Sequence, residues 1–264
     1  MTLYPTITRP VAFERLTPDG TLSDVSRDVA DETPIAIELN GVGYAVLMAS
    51  AAQLEDLVAG FLFSERIIER ANQIQEVDFH WTDRGVIARA FLATECADRV
   101  ADRVRHRVSD SSCGLCGIEN LEQALRPLPR ERETCGADTG AMFRALDALG
   151  AAQPVNRLTG AVHAAAFCNV KGEVLLSRED VGRHNAFDKL IGAMMRGGHE
   201  WDGGFALLSS RCSYELVEKA ALSQCPMLVT ISAPTALAVE RARDANLPLV
   251  VLARPDAVLI SKTA

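Results

Sequence analysis

Hydrophobic and polar positions alternate with period two across residues 34–48, where P-I-A-I-E-L and G-Y-A-V-L-M flank Asn40-Gly41. That alternation predicts two half-buried strands, and Asn-Gly between them is a strong tight-hairpin signal. The period then lengthens. Leu54, Leu57, Val58, Phe61 and Leu62 recur at spacings of three and four, which predicts an amphipathic helix. Ser50 is the expected N-cap, with Gln53 three residues on completing a capping box. Period two returns over 77–81 and 86–92, a second hairpin turning at Asp83-Arg84-Gly85. These elements predict a small N-terminal α+β unit.

The middle of the chain is less regular. Pro127, Pro129 and the charged run 130–133 read as linker or exposed loop, a helix is expected over 139–149, and Pro154 closes the segment. From Gly160 onward strands alternate with helices. A strand pair at 161–168 and 174–177 turns at Lys171-Gly172 and leads into a helix at 185–195 carrying Phe187, Leu190, Ile191 and Met194 on one side. Strand 205–208, helix 214–223, strand 227–231, helix 235–246, strand 249–253 and a last strand 258–260 follow. Short apolar strands between amphipathic helices predict an α/β unit, a largely parallel sheet with helices on both faces. The expected division is 1–108 for the α+β domain, 109–138 for a loop and linker, and 139–264 for the α/β domain.

Composition narrows the functional classes. A formal net charge of −8 argues against a general nucleic-acid binder, so any polyanion site must be a local basic pocket. No apolar run reaches the ~18 residues of a membrane span, and the N-terminal residues lack a charged head followed by an apolar stretch. Seven cysteines, mostly scattered singly, argue for a reducing cytoplasm rather than a disulfide framework.

The exception is S-S-C-G-L-C-G at 111–117, which places Cys113 and Cys116 among glycines. Small neighbours leave a thiolate open to attack or be attacked, and a helix read at 118–125 would put a partial positive charge nearby. Arg99, Arg103, Arg105 and Arg107 precede the pair. Structural zinc and a dithiol oxidoreductase are the alternatives. None of the five histidines begins an H-x-E, Ser112 stands where zinc deaminases carry proline, and S-D-S-S is not the apolar strand of a thioredoxin motif.

A second cluster, R-E-D-V-G-R-H-N-A-F-D-K-L at 178–190, follows a strand and opens a helix, a place that suits an anion held by Asp180, Arg183, His184 and Asn185. The plainer reading makes Asn185 a helix cap and pairs Asp188 with Arg183 or Lys189 at the surface. Hydroxyls recur at two more strand-to-helix junctions, around Ser210 and Ser232. A parallel sheet would open all three junctions on one edge, where ligands of such sheets bind. Ser213 and Thr235 serve equally as N-caps.

The CxxC segment, T-G-A-V-H-A-A-A at 159–166, the 178–190 motif, S-Y-E-L-V-E-K-A at 213–220 and S-A-P-T-A-L-A-V-E at 232–240 together resemble the FdhD family, the formate dehydrogenase accessory sulfurtransferases. The stretch 47–68 resembles that family's N-terminal part. The resemblance implies a persulfide carrier that takes sulfur from an L-cysteine desulfurase. It delivers that sulfur to the molybdenum (or tungsten) atom of the bis-molybdopterin guanine dinucleotide cofactor destined for formate dehydrogenase. Cys113 would carry the sulfur and Cys116 assist. It further implies a cytidine-deaminase-like C-terminal domain without zinc, a homodimer, and a cofactor-binding segment at Leu252, Ala253, Arg254, Pro255, Asp256 and Ala257. It admits a guanine nucleotide in the same pocket. A cofactor-carrying chaperone that moves no sulfur is the alternative. Two departures stand out: L-A-R-P-D-A replaces a segment with a second basic residue, and Cys212 takes a place that is usually small and apolar.

Overall fold

The structure, a computed structural model, describes residues 7–108, 125–130 and 133–262, with only the backbone of 104–108. Cys113 and Cys116 lie outside the described residues, as does the helix read at 118–125 except for Leu125.

The chain opens with a hairpin that the sequence pattern did not disclose, β1 (Thr8–Leu16) and β2 (Leu22–Ala30), paired antiparallel along their full length. Both faces are largely exposed, so its residues carry no alternation to read. The expected strands follow as β3 (Thr33–Leu39), β4 (Val42–Ala49), β5 (Ile74–Thr82) and β6 (Gly85–Leu92). They form one sheet in the order β4-β3-β6-β5, in which β3 and β6 run parallel. The crossover between them contains α1 (Leu54–Ser64), whose Leu57, Val58 and Leu62 pack on Ile35, Ile37 and Ala88 to make a core of their own. After β6 comes α2 (Ala97–Val108).

The C-terminal part begins with α3 (Thr139–Leu149), capped by Asp138, whose carboxylate accepts from the Ala141 amide. Pro154 does not close a segment. It opens the short helix α4 (Pro154–Thr159), because proline's missing N–H costs nothing in a first helical turn. Then come β7 (His163–Cys168), β8 (Val174–Asp180), α5 (Arg183–Gly197), β9 (Phe205–Leu208), α6 (Tyr214–Leu222), β10 (Leu228–Thr230), α7 (Ala236–Asp244), β11 (Leu249–Val251) and β12 (Leu259–Ile260).

These strands form a six-stranded sheet in the order β12-β11-β10-β9-β7-β8. It is mixed, not largely parallel. Only β9–β10 and β10–β11 pair parallel, because β7 and β8 are joined by a tight hairpin and tight hairpins are antiparallel. Helices do cover both faces. Ala166, Phe205, Leu207 and Val229 meet α3, while Ala165, Ala206, Leu208 and Leu228 meet α5, α6 and α7.

The two sheets are joined through α1 and α5, which cross backbone to backbone. A Cβ on Gly192 would sit 1.9 Å from the Asp56 carbonyl oxygen, and one on Gly60 1.8 Å from that of Asp188. Side chains reinforce the crossing: Asp56 pairs with Arg196 on α5 and with Arg178 on β8, the latter at 2.8 Å, and the Ser64 hydroxyl donates to Asp188 at 2.7 Å. Pressed between α1 and the sheet, α5 is buried continuously from Asn185 to Met194.

Candidate functional site

Because β8 runs antiparallel to β7 and β7 antiparallel to β9, the C-terminal ends of β8, β9, β10 and β11 share one edge with the start of β7. The three junctions singled out in the sequence therefore converge there. Cys212 bridges to Pro234, the Leu252 amide donates to the Ser232 carbonyl at 3.2 Å, and the Ser209 hydroxyl accepts from the Ala164 amide at 2.7 Å.

The residues at that edge differ sharply in what they can touch. Asp180 was expected to face a ligand, but it is fully buried. Its carboxylate accepts from the amides of Ser50 at 3.0 Å and Gly182 at 2.8 Å, from Asn185 Nδ2 at 3.1 Å, and pairs with Lys189 at 2.5 Å. Lys189 is also fully buried and donates to the Ser50 carbonyl at 2.9 Å. Burial pushes its ammonium down, and Asp180 opposes that. This network also overturns the capping box at Ser50. The helix starts at Leu54 from Gln53 with no side-chain cap, and the Ser50 hydroxyl accepts instead from the Val181 amide at 3.2 Å. Asn185 caps nothing either, since its amide donates to the Met48 carbonyl at 2.7 Å. Nor does Asp188 pair with Arg183 or Lys189. Its partners are Lys219 and the Ser64 hydroxyl, the latter at 2.7 Å. Ser210 is buried and bonded to the Arg211 carbonyl.

What faces outward is basic. Arg183 has no hydrogen bond or ion pair among the described residues, and its Nε is buried without a partner. His163, at the start of β7, is pushed down by burial and then by Arg183, His184 and Arg211. Arg211 was not singled out from the sequence, and the register of β7 against β8, which sets His163 opposite Asp180, is what brings that histidine to the edge. Beyond Ser232 the chain turns sharply. Leu252 takes φ +49°, Ala253 is buried, and the Arg254 amide donates to the Ala257 carbonyl at 2.9 Å, which leaves Arg254, Pro255, Asp256 and Ala257 exposed. Cys212 is a packing residue, fully buried with its thiol pushed up to about 12 by desolvation.

Around the N-terminal ends of α5 and α6 lies a cavity of about 340 Å³. His184 lines it, with Nε2 2.9 Å from Glu215 and 3.1 Å from the Ser213 hydroxyl. Ser213 thus spends its side chain on His184 and Glu215 rather than on a cap, whereas Thr235 does cap α7 through the Ala238 amide. The glutamate and serine meet the same ring nitrogen, so this is not a nucleophile–base relay, which needs both nitrogens. Glu215 is held below the usual carboxylate range by its bond to His184.

Two lining residues tie the cavity to the cysteine-bearing stretch. Arg103, on α2, enters from before it and pairs with Glu65 at 2.7 Å; Arg126 enters from after it. Of the other arginines ahead of the pair, Arg99 binds Glu69 at 2.7 Å, and the side chains of Arg105 and Arg107 lie outside the described residues. Both flanks of residues 109–124 are therefore at one cavity, and no helix among the described residues is long and apolar enough to cross a membrane.

Comparison with known proteins gives a consistent result. The sequence is 39% identical over 234 residues to the sulfur carrier protein FdhD of Bordetella petrii, covering 88% of this chain and 84% of that protein. It is 43% identical over 243 residues to the sulfur carrier protein FdhD of Xanthomonas euvesicatoria pv. vesicatoria, covering 92% and 86%. The fold superimposes on a crystal structure of a putative formate dehydrogenase accessory protein from Desulfotalea psychrophila with a TM-score of 0.76, at 22% identity and 97% coverage of both chains. The sequence model of the FdhD/NarQ family matches residues 30–262. The chain belongs to the FdhD/NarQ family.

Proposed function

We propose that this protein is a sulfur carrier for formate dehydrogenase, working through a persulfide on Cys113. The observation that carries the reading is the placement of Arg103 and Arg126, which flank the cysteine-bearing stretch, in one cavity at the helix N-termini of the C-terminal sheet. Relatives at about 40% identity over most of the chain are named sulfur carriers, which supports it. The Cys113 thiolate attacks the outer sulfur of a persulfide on an L-cysteine desulfurase. A new S–S bond forms, the donor's S–S bond breaks, and the donor cysteine leaves as thiolate. Attack of the Cys116 thiolate on the inner sulfur then expels hydrosulfide toward the substrate metal and leaves a Cys113–Cys116 disulfide, which a dithiol reductant reopens.

The substrate in this reading is the molybdenum or tungsten bis-molybdopterin guanine dinucleotide cofactor. Arg183 and Arg211 at the sheet edge suit its phosphoryl groups, because they are basic and their guanidiniums have no hydrogen bond or ion pair among the described residues, and the 252–257 turn lies on the same edge. Arg254 is the basic residue retained in that turn, and a free guanine nucleotide fits the same chemistry. Asp180 and Asn185 act as positioning residues that fix the turn leading to Arg183 and His184. A homodimer, a cytoplasmic location and a cytidine-deaminase-like ancestry for the C-terminal sheet belong to the same reading. The test is made in cells lacking the resident gene. The double variant Cys113→Ala/Cys116→Ala should leave formate dehydrogenase inactive although the protein accumulates. Full activity would mean that the protein is a cofactor chaperone and moves no sulfur.

A further inference from the structure

The ribbon made by β1 and β2 distributes its charge in an unusual way. Its nine residue pairs extend about 30 Å at ~3.4 Å per residue. Paired residues share a face, and faces alternate along each strand. The register therefore puts Arg9, Val11, Phe13, Arg15, Val25 and Arg27 on one face, and Glu14, Asp24 and Asp28 on the other. The first face carries three guanidiniums and no acid. On the second, Glu14 stands directly opposite Asp24. Like charges directly opposite destabilise a strand pair, so this sorting costs stability that a mixture of signs on each face would have supplied. A two-stranded hairpin is marginal in water to begin with.

The basic face is open. The side chains of Arg15 and Arg27 have no hydrogen bond or ion pair among the described residues, and Arg9 makes a long contact with Asp31 at 3.7 Å. Phe13, between the arginines, is 45% exposed. The root of the ribbon is fixed. The Asp31 amide donates to the Ile7 carbonyl at 2.8 Å, and β2 packs on α4, whose Val155 and Asn156 amides donate to Glu179 at 2.9 and 2.8 Å. Glu179 adjoins Asp180 and α4 leads into β7, so the ribbon is rooted on elements that run to the edge of the candidate site.

We propose that the face bearing Arg9, Phe13, Arg15 and Arg27 docks a protein with an acidic surface around an apolar patch, and that this partner is the persulfide donor. An aromatic and aliphatic centre rimmed by arginine, with no lysine in either strand, has the composition of a protein–protein contact. Polyanions suit it poorly, because a nucleic acid or anionic bilayer on the arginines would lie within about a Debye length of Glu14, Asp24 and Asp28. A second copy suits it poorly too, since a two-fold contact of this face with itself sets arginine against arginine. The choice of the donor rests on the sulfur-carrier reading, in which it is the protein that must touch this chain for sulfur to enter.

The test measures binding of the full chain to an L-cysteine desulfurase by biolayer interferometry. Wild type binds saturably, and its affinity falls as salt rises from about 0.05 to about 0.3 M. Arg9→Glu/Arg15→Glu/Arg27→Glu binds at least about tenfold more weakly, a loss of about 1.4 kcal/mol, and sheds most of that salt dependence. Phe13→Ser keeps the charges, binds severalfold more weakly with the salt dependence intact, and stands in should the triple variant not fold. Glu14→Gln/Asp24→Asn, on the opposite face, binds within about twofold of wild type. The surface is overturned if wild type shows no saturable binding, if the triple variant or Phe13→Ser binds as wild type does, or if the opposite-face variant loses as much as the triple one. It is also overturned if the arginines prove to hold duplex DNA, anionic vesicles or a second copy while the desulfurase is indifferent to them. Persulfide loading of Cys113 separates this inference from the reading it rests on. From the desulfurase the triple variant loads more slowly than wild type, whereas from glutathione persulfide the two load alike. A wild type that binds the desulfurase but loads from neither source removes the carrier reading alone. Equal loading of both proteins from the desulfurase removes the docking surface alone.

Discussion

Lys189→Met should be among the most damaging single changes in this chain that leave its volume nearly intact. The ammonium is fully buried and pairs at 2.5 Å with Asp180, itself fully buried, while donating at 2.9 Å to the Ser50 carbonyl. Removing one partner of a buried ion pair typically costs about 3–5 kcal/mol. The Asp180 carboxylate would keep three N–H donors, from Ser50, Gly182 and Asn185, so the cost sits near the low end, about 3 kcal/mol. For a chain of this size that lowers Tm by about 6–12 °C. Asp180→Asn strands the cation instead, and its penalty shrinks as pH rises, because an unpaired Lys189 already pushed down by burial sheds its proton early. The Lys189→Met/Asp180→Asn double variant contains neither buried charge. Urea unfolding of all four proteins gives the coupling directly, and we expect at least about 1.5 kcal/mol. Additive losses, or a Lys189→Met cost under about 1 kcal/mol, would refute the claim that this buried pair stabilises the fold.

Further expectations follow from the geometry. Gly192→Ala forces a methyl into the Asp56 carbonyl at 1.9 Å, so it should destabilise by at least about 2 kcal/mol in thermal unfolding, while Gly150→Ala, which meets open space, stays near wild type. His163 has a lowered pKa in the folded state, so the unfolded chain binds its proton first as pH falls. Its contribution to stability is therefore complete above pH 6.5 and lost below it, a slope that His163→Gln should remove from a Tm-versus-pH curve. Cys168 and Cys212, with thiols raised to about 12 by burial, should resist iodoacetamide in the native protein at pH 8 and react once it is unfolded.

Much of the fold could be read from the sequence because burial imposes pattern. Strand Phe205–Leu208 and helix Thr139–Leu149 fall where periodicity placed them, each pressed against a core that dictates every apolar position. The β1–β2 hairpin escaped for the opposite reason: with both faces largely exposed, nothing forces its residues to alternate. Sheet direction was misjudged because short apolar strands look alike whether they pair parallel or antiparallel, and the tight Lys171-Gly172 turn was the local clue to an antiparallel start. At the site, residue type told which positions were polar but not which way they pointed. Ser50, Asp180 and Asn185 have the chemistry of caps and ligand-binders, yet Ser50 bonds to Asp180 and Lys189, and Asn185 to the Met48 carbonyl, across sequence separations of more than a hundred residues, where no local motif reaches. Arg126 was passed over for a related reason, since its place in the cavity is set by Arg66 and Arg241 from distant parts of the chain.

The central claim concerns one sulfur atom. Purified protein incubated with an L-cysteine desulfurase and isotopically labelled cysteine, then digested and mapped by mass spectrometry under non-reducing conditions, should carry one additional labelled sulfur on the peptide containing Cys113. That sulfur should be released by dithiothreitol and absent from Cys113→Ala. Label retained in full by Cys113→Ala, or none acquired by the wild type, would contradict it.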